Sequence, residues 1–296
     1  MIKIFAKILL FALPAIIAVV ITADKYDNGF IDFHYSKITG EGKSLIIGTS
    51  RASQGLIPEI VMQDTHFDSP MLNYAFTSYN SPYNKEYYRA IEMKLDPSTK
   101  NGIFILEIDP LAISENENEK TPSHLLSQQY IFHGDPNYEY LYRNVNPFYT
   151  LILRNNEGNP NCLPHKDGRL EIILNDSPAK TTERANEKLI AIKKEISHCK
   201  ISDEKVEWLK KTIDLLKKHG KVILVRIPAW QPIIDAENKG FPNLNKILNE
   251  ISTTQEIPYF DCSTFALKYA YIDGNHLNQE SSKLFSKELN HLILSH

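Results

Sequence analysis

Three short apolar runs limit the fold of this chain more than any other feature. Residues 43–48 (KSLIIG), 101–108 (NGIFILEI) and 221–227 (KVILVRI) are nearly unbroken hydrophobic stretches of six to eight residues. A strand with one wet face alternates polar and apolar residues. A strand covered on both faces has no such alternation, as in a parallel sheet between two helical layers. Residues 257–260 (IPYF) form a weaker fourth run. Helical periodicity fills the gaps. In 203–219, Val206, Leu209, Ile213 and Leu216 share one face, Ser202 stands at the N-cap, Asp203 and Glu204 occupy the first turn, and Gly220 follows the end. Residues 243–251 and 279–292 carry the same period. Strands alternating with helices predict a three-layer α/β domain of the flavodoxin-like kind.

The rhythm breaks between 114 and about 180, a stretch rich in Asn, Pro, Glu and Tyr. A structureless loop of that length does not suit a compact domain. It reads as an insertion that leads into a helical segment at 182–198. At the other end, Lys3 and Lys7 precede an uncharged run from Ile8 to Ile21. Basic residues ahead of an apolar run are the layout of an export signal, and the positive-inside bias sends the following chain across the membrane. Ile21-Thr22-Ala23 is a poor cleavage site because Ile21 is large and branched. The expectation is therefore a signal anchor or transmembrane segment at 1–23, a linker at 24–42 and an α/β domain at 43–296. The domain would lie membrane-anchored on the extracytoplasmic side, periplasmic or at the cell surface, or be secreted if the segment is cleaved.

Composition excludes several classes of function. A net charge of −3 leaves no basic footprint for nucleic acid. Cys162, Cys199 and Cys262 fit no zinc spacing; the first two could pair in an oxidising compartment, and all three also suit buried, inert positions. No HExxH, Walker loop or GxGxxG occurs, so neither metal nor cofactor is expected. His165 reads as a turn residue. Trp230 follows the third run, where it suits either sugar stacking or core packing.

Two short blocks carry chemistry. Gly48-Thr49-Ser50-Arg51 directly follows the first strand, and ligands of open α/β sheets bind beyond the carboxyl ends of the strands. A serine hydroxyl there needs a base to become a nucleophile, and it could equally be a helix N-cap. Asp273-Gly274-Asn275-His276 precedes the last helix. An imidazole base needs a carboxylate to fix its tautomer and stabilise its charged form, and Asp273 stands three residues from His276. The alternative reading is a capping Asp and a surface His.

Together the two blocks resemble the SGNH (GDSL-like) hydrolase superfamily, with Thr49 where the family has Asp. The resemblance implies a catalytic triad of Ser50, His276 and Asp273. It implies that the second oxyanion donor falls on Ser78. It also puts Asp109, in Leu106-Glu107-Ile108-Asp109-Pro110, where the family supplies an Asn. A carboxylate cannot donate, and its charge opposes an oxyanion. An Arg51–Asp109 pair would neutralise it and leave guanidinium N–H groups for substrate. The Gly-Thr-Ser-Arg form and the apolar N-terminus look most like the membrane-anchored envelope branch, of the alginate O-acetylation and teichoic-acid D-alanylation type. That branch implies a serine esterase or O-acyltransferase acting on acyl (acetyl) groups of a cell-envelope polysaccharide. Its implied partners are an acylated glycan or other envelope polymer, the membrane, and a membrane-bound O-acyltransferase. The rival reading is a catalytically weak SGNH-like protein that binds glycan or an assembly partner, with the Asp109 position as its support.

Overall fold

The computed structural model describes residues 2–27, 34–78, 83–116, 137, 139–140 and 161–296. Its centre is a five-stranded parallel sheet. The strands are β1 (Ser44–Ile47), β2 (Met71–Asn73), β3 (Gly102–Glu107), β8 (Gly220–Arg226) and β9 (Tyr259–Asp261), in the order β2-β1-β3-β8-β9. Counted within the sheet alone this is the 2-1-3-4-5 order of flavodoxin-like folds, with its switch point between β1 and β3.

The apolar runs divide by residue parity, which is why they lack alternation. Leu45, Ile47, Phe104, Leu106, Val222 and Leu224 enter one core. It is covered by α5 (Lys85–Lys94), α7 (Asp203–Leu216) and α9 (Leu244–Gln255). Ile46, Ile103, Ile105, Ile223 and Val225 enter the other, under α3 (Ser50–Gly55), α4 (Pro58–Val61) and α10 (Gln279–Ser295). Each of these buried aliphatic side chains contributes about 1.5–3 kcal/mol of transfer free energy. Parallel register sets Ile47 beside Leu106 and Leu106 beside Leu224, so the three central strands end nearly level.

Helix α6 (Pro178–Ile196) starts four residues before the expected 182, because Ser177 caps the Lys180 N–H and Pro178 occupies the first turn. Helix α8 (Gln231–Gly240) follows β8 at Trp230. Around the expected insertion, β4 (Ser114–Asn116) pairs antiparallel with β7 (Cys199–Ile201), and β5 (Cys162–Pro164) with β6 (Leu170–Ile172). His165 begins the β5–β6 turn, as its N–H bond to Arg169 O shows. Most of the 114–180 stretch lies outside the described residues.

Ile2–Asp27 is one helix, α1, yet among the described residues no helix is long and apolar enough to cross a membrane. All three cysteines are free thiols, and burial pushes Cys162 up to about 11 and Cys262 up to about 12.

Candidate active site

The structure brings Ser50, His276 and Asp273 together. Ser50 opens α3 directly after β1, and Gly48 makes that turn possible: a Cβ there would lie 2.5 Å from Glu107 Oε2. His276 sits in the turn before α10, whose reversal uses Gly274 at φ +80°. Ser50 Oγ lies 2.8 Å from His276 Nε2. His276 Nδ1 lies 3.0 and 3.1 Å from the two carboxylate oxygens of Asp273. Asp273 Oδ1 also accepts the backbone N–H groups of Asn275 and His276, both at 3.0 Å. Burial alone would raise Asp273, but its hydrogen bonds to His276 and the His276 charge hold it well below the usual carboxylate range. An ionised Asp273 accepts a hydrogen bond from Nδ1–H and leaves Nε2 as the acceptor facing Ser50. The set lies beyond the carboxyl end of β1, at the switch point of the sheet.

Ser78 is half-buried at the end of the described segment after β2. Phe76 N–H donates to Gly48 O at 3.0 Å, so this segment runs beside the nucleophile turn.

Arg51 does not form the expected pair with Asp109. Its guanidinium is buried and bonds Glu237 of α8, through Nη2 to Oε1 and through Nη1 to Oε2 at 3.4 Å. Its Nε and Nη2 donate to Asn275 Oδ1 at 3.0 and 2.7 Å. Glu237 is wholly buried and also accepts from Arg226 Nη2 at 3.0 Å. Burial would lower the Arg51 guanidinium, but Glu237, and behind it Asp109, hold it above its ordinary value. Arg51 is thus a buried clamp between Glu237 and Asn275. The sequence did not point to Glu237, because its distance of 186 positions from Arg51 gives no local signal.

Asp109 instead accepts Ala112 N–H at 2.8 Å and Thr49 Oγ1 at 2.9 Å. Thr49 is the second residue that sequence reasoning did not assign. Its N–H donates to Glu107 Oε2 at 2.6 Å, and its Oγ1 also lies 3.0 Å from that oxygen. A hydroxyl has one proton, and here it meets two carboxyl groups. Burial first, and then the Asp109 charge, push the Glu107 carboxyl up to about 8 against the partial opposition of Thr49 and Arg51. Thr49 thus stands between Asp109 and a Glu107 carboxyl that holds its proton more tightly than usual. The adjoining pair Glu107 and Asp109 in the sequence is the signal that could have revealed this.

A cleft of about 520 Å³ adjoins the Asp273–Gly274 turn, and Asp176, Thr181, Trp230, Tyr271, Ile272 and Gly274 are among its lining residues. Trp230 N–H donates to Gly274 O at 2.7 Å, which ties α8 to the triad turn. Trp230 also packs against the small core of Ile192, Ala229 and Ile233, so it serves the core and the cleft wall together.

No protein-family model matches the chain, and no curated protein matches it. Among solved structures, it superposes on a lipase/acylhydrolase from Enterococcus faecalis with a TM-score of 0.40 and 12% identity, over 86% of this chain and 96% of that one. An inhibitor-bound aryl esterase of M. smegmatis gives a TM-score of 0.39 and 9% identity, over 85% of this chain and 99% of that one. A carbohydrate acetylesterase from Sinorhizobium meliloti gives 0.36 and 8%, over 86% and 99%. These scores are too low to carry a functional conclusion. The chemistry of the site rests on its own geometry.

Proposed function

We propose that the chain is a serine-dependent ester hydrolase or O-acyltransferase of SGNH type, acting on acyl groups of cell-envelope polysaccharide. The contact of Ser50 Oγ with His276 Nε2 at 2.8 Å, with His276 backed by Asp273, carries the reading. Ser50 attacks the acyl carbonyl, His276 takes the Ser50 proton and returns it to the leaving oxygen, and Asp273 stabilises the imidazolium between the two steps. The backbone N–H groups of Ser50 and Ser78 are the oxyanion donors in this scheme. Water as acceptor completes hydrolysis, and a sugar hydroxyl completes transfer. The polysaccharide substrate rests on the resemblance of the sequence blocks to the envelope branch. The apolar helix α1, with Lys3 and Lys7 ahead of its uncharged run, supports export of the domain across the cytoplasmic membrane.

A second reading, a catalytically weak protein that binds glycan or a partner, draws on Asp109. The resemblance puts this acceptor where the family has an Asn that donates to the oxyanion. One assay decides between them. Hydrolysis of p-nitrophenyl acetate and of an O-acetylated polysaccharide is measured for wild type and Ser50→Ala. The hydrolase reading expects a loss of about 10³-fold or more. Equal rates for the two proteins would eliminate it in favour of binding.

A further inference from the structure

Asn275 stands between the triad and the buried charge cluster, and its orientation is fixed from outside the triad. A carboxamide can usually present either its oxygen or its nitrogen to a neighbour. Here Oδ1 accepts two N–H groups of Arg51, at 3.0 and 2.7 Å, which only the oxygen can do. The NH₂ group is left on the side of His276, with Nδ2 3.3 Å from His276 Nε2. Arg51 in turn has little freedom, because Glu237 holds the other edge of its guanidinium and Arg226 holds Glu237. These side chains are almost completely buried.

We propose that Arg51 and Glu237 are positioning residues that pin the Asn275 carboxamide with its NH₂ toward His276, so that the base nitrogen is kept as a proton acceptor. Two donors converge on that nitrogen, Ser50 O–H and Asn275 N–H. They differ when the imidazole gains a proton at Nε2. The Ser50 hydroxyl rotates and accepts. The Asn275 amide cannot turn its oxygen over without breaking both bonds to Arg51, so it faces the new N–H donor to donor. The pinned amide therefore favours the form of His276 that can accept the nucleophile's proton, and it favours prompt release of that proton to the leaving oxygen. Asp273 acts in the opposite sense by stabilising the imidazolium, so the two neighbours of His276 bracket its proton affinity. Other charged groups reach the ring at one remove: Lys188 of α6 acts on Asp273, while Arg51, Glu237 and Arg226 act through Asn275. The catalytic consequence rests on the hydrolase reading above. The contact and its effect on the ring do not.

The test is the titration of the His276 imidazole in the full chain, followed by NMR on histidine-labelled protein and assigned by its loss in His276→Asn. Asn275→Ala removes the amide without changing charge, and the titration midpoint should rise by about half a pH unit or more, a threefold or greater gain in proton affinity. Asn275→Asp presents only acceptor oxygens and should raise it by at least one unit. Arg51→Lys keeps the charge but cannot hold Oδ1 through two N–H groups, and should raise it by less than Asn275→Ala. An unchanged midpoint in folded Asn275→Ala overturns the proposal. Should that variant not fold, an unchanged midpoint in Asn275→Asp or Arg51→Lys does so. Ester hydrolysis by wild type and Ser50→Ala is read on the same preparations. A midpoint that moves in a protein without serine-dependent hydrolysis keeps the positioning role and removes the hydrolase reading.

Discussion

Replacing Glu107 by glutamine tests the proton count beneath Ser50. Glu107 is wholly buried, and burial with the Asp109 charge raises its carboxyl from the ordinary 4.5 to about 8. Below 4.5 both the folded and the unfolded chain hold this proton, and it has no effect on stability. Between 4.5 and about 8 the unfolded chain has lost it while the folded chain keeps it. The folded state then binds more protons, so stability falls as pH rises through this window. The slope is about 1.4 kcal/mol per pH unit for one such group, which amounts to roughly 3 kcal/mol by neutral pH. Glutamine keeps the volume and neutrality of the protonated side chain, and its oxygen can still accept the Thr49 N–H. Glu107→Gln should therefore match wild type near the acid end of the window and exceed it by roughly 3 kcal/mol at neutral pH. Urea unfolding at a series of pH values, with the slope against denaturant held in common, measures the difference. Parallel pH profiles for the two proteins would refute the assignment of the buried proton to Glu107.

Two further perturbations probe other parts of the site. Asp273→Asn keeps the shape of the turn but allows the wrong imidazole tautomer, and kcat for ester hydrolysis should fall by about 10³- to 10⁴-fold; a loss below tenfold would show that His276 does not depend on Asp273. Lys37 of α2 (Tyr35–Thr39) is buried and bonds Ser53 Oγ at 3.1 Å, Asn73 O at 3.2 Å and Gly168 O. Burial lowers it from 10.5 to about 7 despite the Asp167 charge, so the unfolded chain binds the extra proton between those values and stability rises with pH there. Lys37→Met should abolish that alkaline rise, and thermal unfolding across the window would count against the argument if the rise persisted.

Local sequence carried much of the fold and the positions of the triad. The runs at 43–48, 101–108 and 221–227 reappear as β1, β3 and β8, since a strand buried on both faces must be apolar throughout. The N-cap at Ser202 and the helix at 203–219 were equally legible, and the observed helix ends at Leu216, within a turn of the expected stop. Strand β2 and helices α5 and α8 were not read. β2 is only three residues long and Asn73 interrupts its apolar pattern; its strand character comes from pairing with β1. The apolar N-terminal run lies within helix α1.

Ser50, Asp273 and His276 could be named from two short blocks because each block is local and each stands at the end of a sheet or the start of a helix. What surrounds them could not. The resemblance put a carboxylate, Asp109, where the family has an Asn, and Arg51 was expected to neutralise it. The fold instead laid Glu237 of α8 against Arg51, and gave Asp109 to Thr49. Desolvation makes that choice binding: a buried guanidinium and a buried carboxylate must meet partners, and only the packed structure decides which are within reach. Two short blocks located Ser50, Asp273 and His276, and the apolar runs located the sheet that carries them. Tertiary structure decided which partners the buried charged groups meet.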